Sequence, residues 1–226
     1  MIDDATLRRI PLFADFDAVH LEHLRSVVRP VRFPKHGVIL REGEPGDAFY
    51  LIASGSVAVV RKAPDGRETI LSILKEGEFF GEMSLFDEGA RSASIRTLTD
   101  VELGMIRQHE FLALLDEQPS IAKQLVVALS ARLRAANAQI AANLTQEVPA
   151  RLAALLLHLA ERFGEPAERG TRIGIRLTNQ EMANMIGSSR ESVNRALNRF
   201  WDEHLIDMRE PHVVIADADG LRALVT

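Results

Sequence analysis

The sequence predicts an α+β chain of three successive parts: a β-rich N-terminal part, one long helix, and a C-terminal helix-turn-helix followed by a small hairpin. Three observations predict it. Between Val31 and Ile106, short alternating apolar runs are punctuated by Gly37, Gly43, Gly46, Gly55, Gly66, Gly77, Gly81 and Gly89. That is the turn spacing of an all-β sandwich or barrel. From Ser120 to Leu144 there is no glycine or proline, and apolar residues recur with heptad spacing. From Thr178 to Trp201, two short amphipathic patterns flank Gly187.

Each element has its own signal. Leu7, Ile10, Leu12 and Phe13, then Leu21, Leu24, Val27 and Val28, suggest short helices before the strands. Within the β-rich part, Ala58-Val59-Val60 and Thr69-Ile70-Leu71 flank Pro64-Asp65-Gly66, a hairpin with suitable turn chemistry. Glu110 to Leu144 reads as helix, broken near Pro119. Val126, Leu129, Leu133, Ala136 and Ile140 form an a/d seam on its second part, and a seam of that kind wants a partner helix. The simpler reading is a stripe lying on its own domain. Gln146-Glu147-Val148-Pro149 marks a hinge, because proline disfavours helix at the residue before it. A helix from Ala150 to Phe163 follows, then a polar loop, GEPAERGTR. Leu205-Ile206, Pro211-His212 and Val213-Val214-Ile215 suggest a wing. The expected domains are 1–118, 119–146 and 147–226.

The helix-turn-helix reading rests on particular residues. Thr178 with Glu181, and Ser188 with Glu191, fit capping boxes. Gly187 sits where the chain must turn with positive φ or little room. Met182, Met185 and Ile186 face the core from the first helix, and Val193, Leu197 and Phe200 from the second. Arg190, Asn194, Arg195 and Arg199 are left for solvent or a ligand, the layout of a recognition helix in a DNA major groove. Net charge over the 226 residues is -5, yet Ser188–Arg199 carries three arginines and one glutamate, a local excess of two (3 − 1). The local field matters more than the sum.

Composition narrows the class. The chain is 46% hydrophobic and 26% charged, ordinary for a globular protein, and has no bilayer-length apolar run. The start, MIDDATLRRIPLF, lacks a secretory pattern. The absence of cysteine excludes disulfides and thiolate metal sites. A cytoplasmic protein with no membrane partner is expected. The seven histidines, His20, His23, His36, His109, His158, His204 and His212, are scattered, and no catalytic triad or phosphate-transfer motif stands out. No enzyme activity, metal or haem is expected.

Two motifs, in this order, carry a resemblance. Phe80-Gly81-Glu82-Met83-Ser84-Leu85-Phe86 with Arg91-Ser92-Ala93 resembles the phosphate-binding cassette of cyclic-nucleotide domains. Gly187-Ser188-Ser189-Arg190-Glu191-Ser192-Val193-Asn194-Arg195 resembles the recognition helix of the cyclic-AMP receptor protein/FNR (CRP/FNR) family of bacterial transcription regulators. The likeness spans nearly the whole chain and is greatest to the cyclic-AMP receptor branch. It implies a cyclic-nucleotide-binding-like β-roll of the double-stranded jelly-roll type, a dimerisation helix and a winged helix-turn-helix.

The resemblance also implies a site. Arg91 would hold the phosphate, Ser92 and the Ser92 and Ala93 N–H groups would add donors, and Glu82 would accept from the ribose 2′-hydroxyl. Gly81 and Met83 complete the cassette. Ala136 and Asn137 stand where cyclic-AMP responders carry a Thr-Ser pair that contacts adenine, and the cassette loop is one residue shorter than in the best-known member. Ala136 has no polar side-chain atom, whereas Asn137 can donate and accept. The implied effector is cyclic AMP. On double-stranded DNA, Arg190 and Arg195 would read guanine, Glu191 cytosine, and Thr178 and Gln180 would hold phosphates. Ser189 and Asn194 belong to the same face. The implied half-site is TGTGA-like in an inverted repeat. A homodimer is implied. An activator contacting RNA polymerase through the charged Glu165–Arg172 loop follows from family habit alone. Other readings are a ligand-independent regulator with a vestigial pocket, a haem sensor, or an i,i+4 Glu191–Arg195 ion pair on a solvated helix.

Overall fold

The computed structural model describes residues 2–63, 66–86, 89–208 and 212–225. Two compact units divide the chain, Met1–Arg134 and Ala135–Thr226, with the division inside the long helix.

The first unit opens with α1 (Asp4–Arg8), a 3-10 turn (Pro11–Phe13) and α2 (Ala18–Val27). Both helices start on an aspartate: Asp3 and Asp17 side chains accept from the Thr6 and His20 N–H groups at 2.8 and 2.9 Å. The strands are β1 (Arg29–Phe33), β2 (Val38–Leu40), β3 (Ala48–Ser54), β4 (Ser56–Lys62), β5 (Glu68–Lys75) and β6 (Phe79–Phe80). After α3 (Met83–Phe86) come β7 (Ser94–Thr97) and β8 (Val101–Arg107). They form two antiparallel four-stranded sheets, ordered β1-β8-β3-β6 and β2-β7-β4-β5, a double-stranded jelly-roll arrangement. The expected β4–β5 hairpin forms, running from Ser56↔Lys75 to Lys62↔Glu68. Its predicted turn residues Pro64 and Asp65 lie outside the described residues.

Alternation places one apolar face of each sheet inward. Ile52, Val57, Leu74, Phe80, Ile95, Val101 and Leu103 fill the space between the sheets. The other face of β3 turns Phe49 and Leu51 onto a helical layer with Phe13, Leu21, Leu24 and Phe111. The Phe49 and Phe111 rings stack at 4.3 Å.

The helical region does break before Pro119, giving α4 (Gln108–Glu117) and α5 (Pro119–Thr145). On α5, Ile121 and Leu125 are buried in the first unit's core. Val126, Leu133, Ile140 and Leu144 are 62%, 62%, 59% and 81% exposed, and Ala136 is exposed too. Leu129 departs from the predicted seam: it packs against the core of its own unit.

The second unit continues with α6 (Val148–Phe163), β9 (Gly164–Pro166), β10 (Thr171–Ile173), α7 (Asn179–Ile186), α8 (Arg190–Asp202), β11 (Ile206–Asp207), β12 (Val214–Ile215) and α9 (Ala218–Ala223). The predicted polar loop GEPAERGTR is instead a β-hairpin. Arg172 pairs across it with Glu165 at 2.5 Å, and β10 joins the wing strand β12 to give the order β11-β12-β10-β9. The wing forms as expected through β11 and β12, although Pro211 lies outside the described residues. Helix α9, not foreseen, is capped by Asp217 through the Gly220 N–H.

Candidate nucleotide pocket and nucleic-acid interface

The cassette is assembled by one loop-to-loop clamp. The Arg91 N–H donates to the Glu44 carbonyl at 2.8 Å, and the Gly43 N–H donates to the Arg91 carbonyl at 2.9 Å. Arg91 is thereby directed inward, and its side chain is only 5% exposed. Nη1 donates to the Gly81 carbonyl at 3.0 Å and to Ser84 Oγ at 2.8 Å, and Nη2 donates to the Ala48 carbonyl at 2.8 Å. The guanidinium expected to hold the phosphate is therefore partly engaged by protein. Nε is buried and has no hydrogen-bond partner among the described residues. Burial draws the guanidinium pKa down from its ordinary value, and Tyr50, Asp47 and Glu82 offset part of that. Arginine nonetheless stays charged at neutral pH.

Two glycines make room for this cation. Gly81 has φ +85°, and a Cβ there would lie 2.9 Å from Arg91 Nη1. A Cβ on Gly46 would lie 2.1 Å from Ser84 Oγ and 2.7 Å from Arg91 Nε.

Glu82 is 5% exposed and does not pair with Arg91. Arg132 of α5 donates to it at 3.1 Å and also to the Phe79 carbonyl, with its guanidinium over the Phe79 ring at 4.5 Å. Met83 is exposed and accepts from the exposed Ser92 hydroxyl at 3.3 Å, and Ala93 is buried. These six predicted residues gather at one place. Ala136 and Asn137 are exposed residues of the second unit.

The helix-turn-helix follows its sequence signals with one shift. Thr178 caps α7 and Glu181 reciprocates, with the Thr178 N–H donating to the Glu181 carboxylate at 2.9 Å. Gly187 adopts φ 62°, the left-handed closure of that helix. Ser188 is not the next cap. Its N–H still donates to the Ala183 carbonyl at 3.0 Å, so it belongs to the closure of α7. The cap is Ser189, whose hydroxyl accepts from the Ser192 N–H at 3.2 Å.

On α8, Val193, Leu197 and Phe200 are buried, while Arg190, Glu191, Asn194 and Arg195 are exposed. The alternative Glu191–Arg195 ion pair does not form. Arg195 donates to Ser192 Oγ at 2.9 Å, and Arg199 pairs with Glu203 at 2.8 Å. Asn194 is not free: its Oδ1 accepts from Asn179 at 3.1 Å. The Glu191 carboxyl is held below its ordinary pKa, first by its own backbone N–H, then by Ser189, with smaller help from Arg190 and Arg195. It therefore remains an acceptor at neutral pH. Gln180 donates to Asn184 at 2.8 Å.

Comparison with known proteins agrees with both halves. The family described as Cyclic nucleotide-binding domain matches residues 30–118, and the Crp-like helix-turn-helix domain matches residues 150–224. The CRP-like cAMP-activated global transcriptional regulator of Mycobacterium tuberculosis is 37% identical over 96% of this chain and 97% of its own length. The chain belongs to the CRP/FNR family of transcription regulators. It is accordingly a cyclic-nucleotide-binding, DNA-binding regulator of that family. The cAMP-activated global transcriptional regulator CRP of Escherichia coli is 33% identical over 81% of this chain and 88% of its own length. The c-di-GMP responsive global regulator CLP of Xanthomonas campestris has 30% identity and a TM-score of 0.76, over 88% of this chain and 99% of that one. Among the described residues, no helix of this family member is long and apolar enough to cross a membrane.

Sequence reading missed Arg132, Ser84 and Gly46. Arg132 sits on a helix whose arginines look solvated, and Ser84 inside the cassette lacks a chemical signal of its own. Gly46 reads only as a turn.

Proposed function

We propose that this protein is a cytoplasmic, homodimeric transcription activator gated by cyclic AMP and reading a TGTGA-like inverted repeat. It acts by binding, not by chemistry on the nucleotide. The observation that carries the reading is Arg91: a buried cation whose Nε has no partner among the described residues, in a space that Gly46 and Gly81 keep clear. A buried charge with spare donor capacity suits an anionic ligand.

Cyclic AMP supplies one phosphodiester charge, a ribose hydroxyl and a base. Arg91 and the donors of Ser92 and Ala93 would hold the phosphate, and Glu82, oriented by Arg132, would accept from the 2′-hydroxyl. By resemblance, Asn137 stands at a position where cyclic-AMP responders contact the base. The name of the Mycobacterium tuberculosis relative supports cyclic AMP. A dimer would set two α8 helices about one DNA turn apart, about 34 Å. Gating requires the ligand to prefer one dimer state, since equal affinity for both shifts nothing. Polymerase contact would use the β9–β10 hairpin, which carries the charged Glu165 and Arg172.

A second reading keeps the regulator and changes the effector. Ala136 offers no polar side-chain atom, and the Xanthomonas campestris relative responds to c-di-GMP. Calorimetric titration with cyclic AMP, cyclic GMP and c-di-GMP separates the two. Cyclic AMP should bind best, and Arg91→Gln should weaken it by about tenfold or more. Tighter c-di-GMP binding, or indifference to Arg91→Gln, would contradict the assignment.

A further inference from the structure

The chain carries no cysteine, so its six methionines hold all of its sulfur. Met182 and Met185 are buried on α7, and Met105 and Met208 are half-buried. Met83 is 55% exposed, the most exposed methionine among the described residues. It opens α3, directly after Gly81 and Glu82.

The Met83 Sδ accepts from the Ser92 hydroxyl at 3.3 Å. Ser92 is itself exposed and directly follows Arg91. A thioether is a weak acceptor, so this bond gives way to a phosphate oxygen at little cost. A sulfoxide is different. Oxidation turns the apolar side chain into a polar one, and its new oxygen is a strong, partly negative acceptor. That oxygen would keep the Ser92 hydroxyl and set a negative end beside the place expected for an anion. The step is a two-electron oxygen transfer. The sulfur lone pair attacks hydrogen peroxide, the O–O bond breaks, one oxygen bonds to Sδ and the other leaves as water. Exposure gives the peroxide its access to Met83.

We propose that Met83 is an oxidation site through which peroxide lowers the affinity of the cassette for a cyclic nucleotide. The sulfoxide takes the Ser92 hydroxyl from the ligand. The proposal rests on Ser92 being a phosphate donor, as the cyclic-nucleotide reading has it. The modification is reversible. Thiol-dependent sulfoxide reductases return the thioether, with the oxygen leaving as water and two thiols joining as a disulfide.

The test treats the full-length protein with hydrogen peroxide. Mass spectrometry reads the oxygen gained by each methionine peptide, and calorimetry reads cyclic AMP affinity. Met83 should gain oxygen before Met105 and Met208, and affinity should fall by about fivefold. Sulfoxide reductase with dithiothreitol should reverse both changes. Met83→Leu, whatever its own affinity, should show the same value before and after peroxide. Ser92→Ala should be equally insensitive although its Met83 is still oxidised. Oxidation of Met105 or Met208 ahead of Met83, or complete oxidation of Met83 with unchanged affinity, would overturn the proposal. So would a peroxide effect that persists in Met83→Leu or in Ser92→Ala. Untreated protein that binds no cyclic AMP would contradict the nucleotide reading itself, and the control by Met83 would fall with it even where Met83 is oxidised first.

Discussion

Arg132 Nη1 donates to the Glu82 carboxylate at 3.1 Å, and the same guanidinium lies over the Phe79 ring at 4.5 Å. One side chain thus ties the first unit's stretch of α5 to the residues flanking Gly81. The Glu82 carboxylate is thereby paired with Arg132 and not with Arg91. Arg132→Leu should leave the Glu82 carboxylate buried without its cation. A loss of about 2 kcal/mol in denaturant stability is expected, with weaker cyclic-nucleotide binding. Arg132→Leu combined with Glu82→Leu should restore most of the stability and none of the binding. Equal stability of the single variant and wild type would show that the pair is only superficial.

Gly46 makes a separate prediction. An added methyl would meet Ser84 Oγ at 2.1 Å and Arg91 Nε at 2.7 Å. Gly46→Ala must displace the Arg91 guanidinium or the serine it donates to. Calorimetry should read a large loss of nucleotide affinity. Gly187→Ala meets nothing closer than 3.9 Å but must keep φ 62°, so it should cost only about 1 kcal/mol of stability and leave nucleotide binding unchanged.

Arg190 is exposed on the first turn of α8, just past the Ser189 cap. Arg190→Ala should cost about 1–3 kcal/mol on a specific duplex and relax one base position in a binding-site selection. Equal losses on specific and random DNA would instead make Arg190 a phosphate contact.

The exposed stripe of α5 predicts self-association. Leu133 and Ile140 are 62% and 59% exposed, seven residues apart. Burying each side chain in a dimer is worth roughly 1.5–3 kcal/mol. Leu133→Glu with Ile140→Glu should convert a dimer to a monomer in sedimentation while leaving cyclic-nucleotide stoichiometry per chain intact. A wild type that sediments as a monomer would contradict the seam.

Local signals made much of this legible. Glycine punctuation, the run without glycine or proline that becomes α5, the Thr178–Glu181 box and Gly187 all act within a few residues, and each appears in the structure. What escaped depends on distant pairing. The β9–β10 hairpin is completed by Thr171↔Ile215, a partner far along the chain. Arg132 meets Glu82 across 50 residues. Leu129 fits the heptad, but the core of its own unit claims it. The choice between Ser188 and Ser189 as cap is invisible to composition, because only the left-handed closure at Gly187 decides which serine is released from α7. The partial engagement of Arg91 by Gly81, Ser84 and Ala48 has no sequence signature, since two of those partners are backbone carbonyls.

The measurement closest to the central claim is fluorescence anisotropy of a palindromic TGTGA-type duplex, titrated with the full-length protein with and without cyclic AMP. A gated regulator should gain affinity at least tenfold with the nucleotide, and Arg91→Gln should abolish the gain while leaving the unliganded affinity in place. Tight binding that no cyclic nucleotide changes would contradict gating and leave Arg91 and Glu82 as a structural remnant.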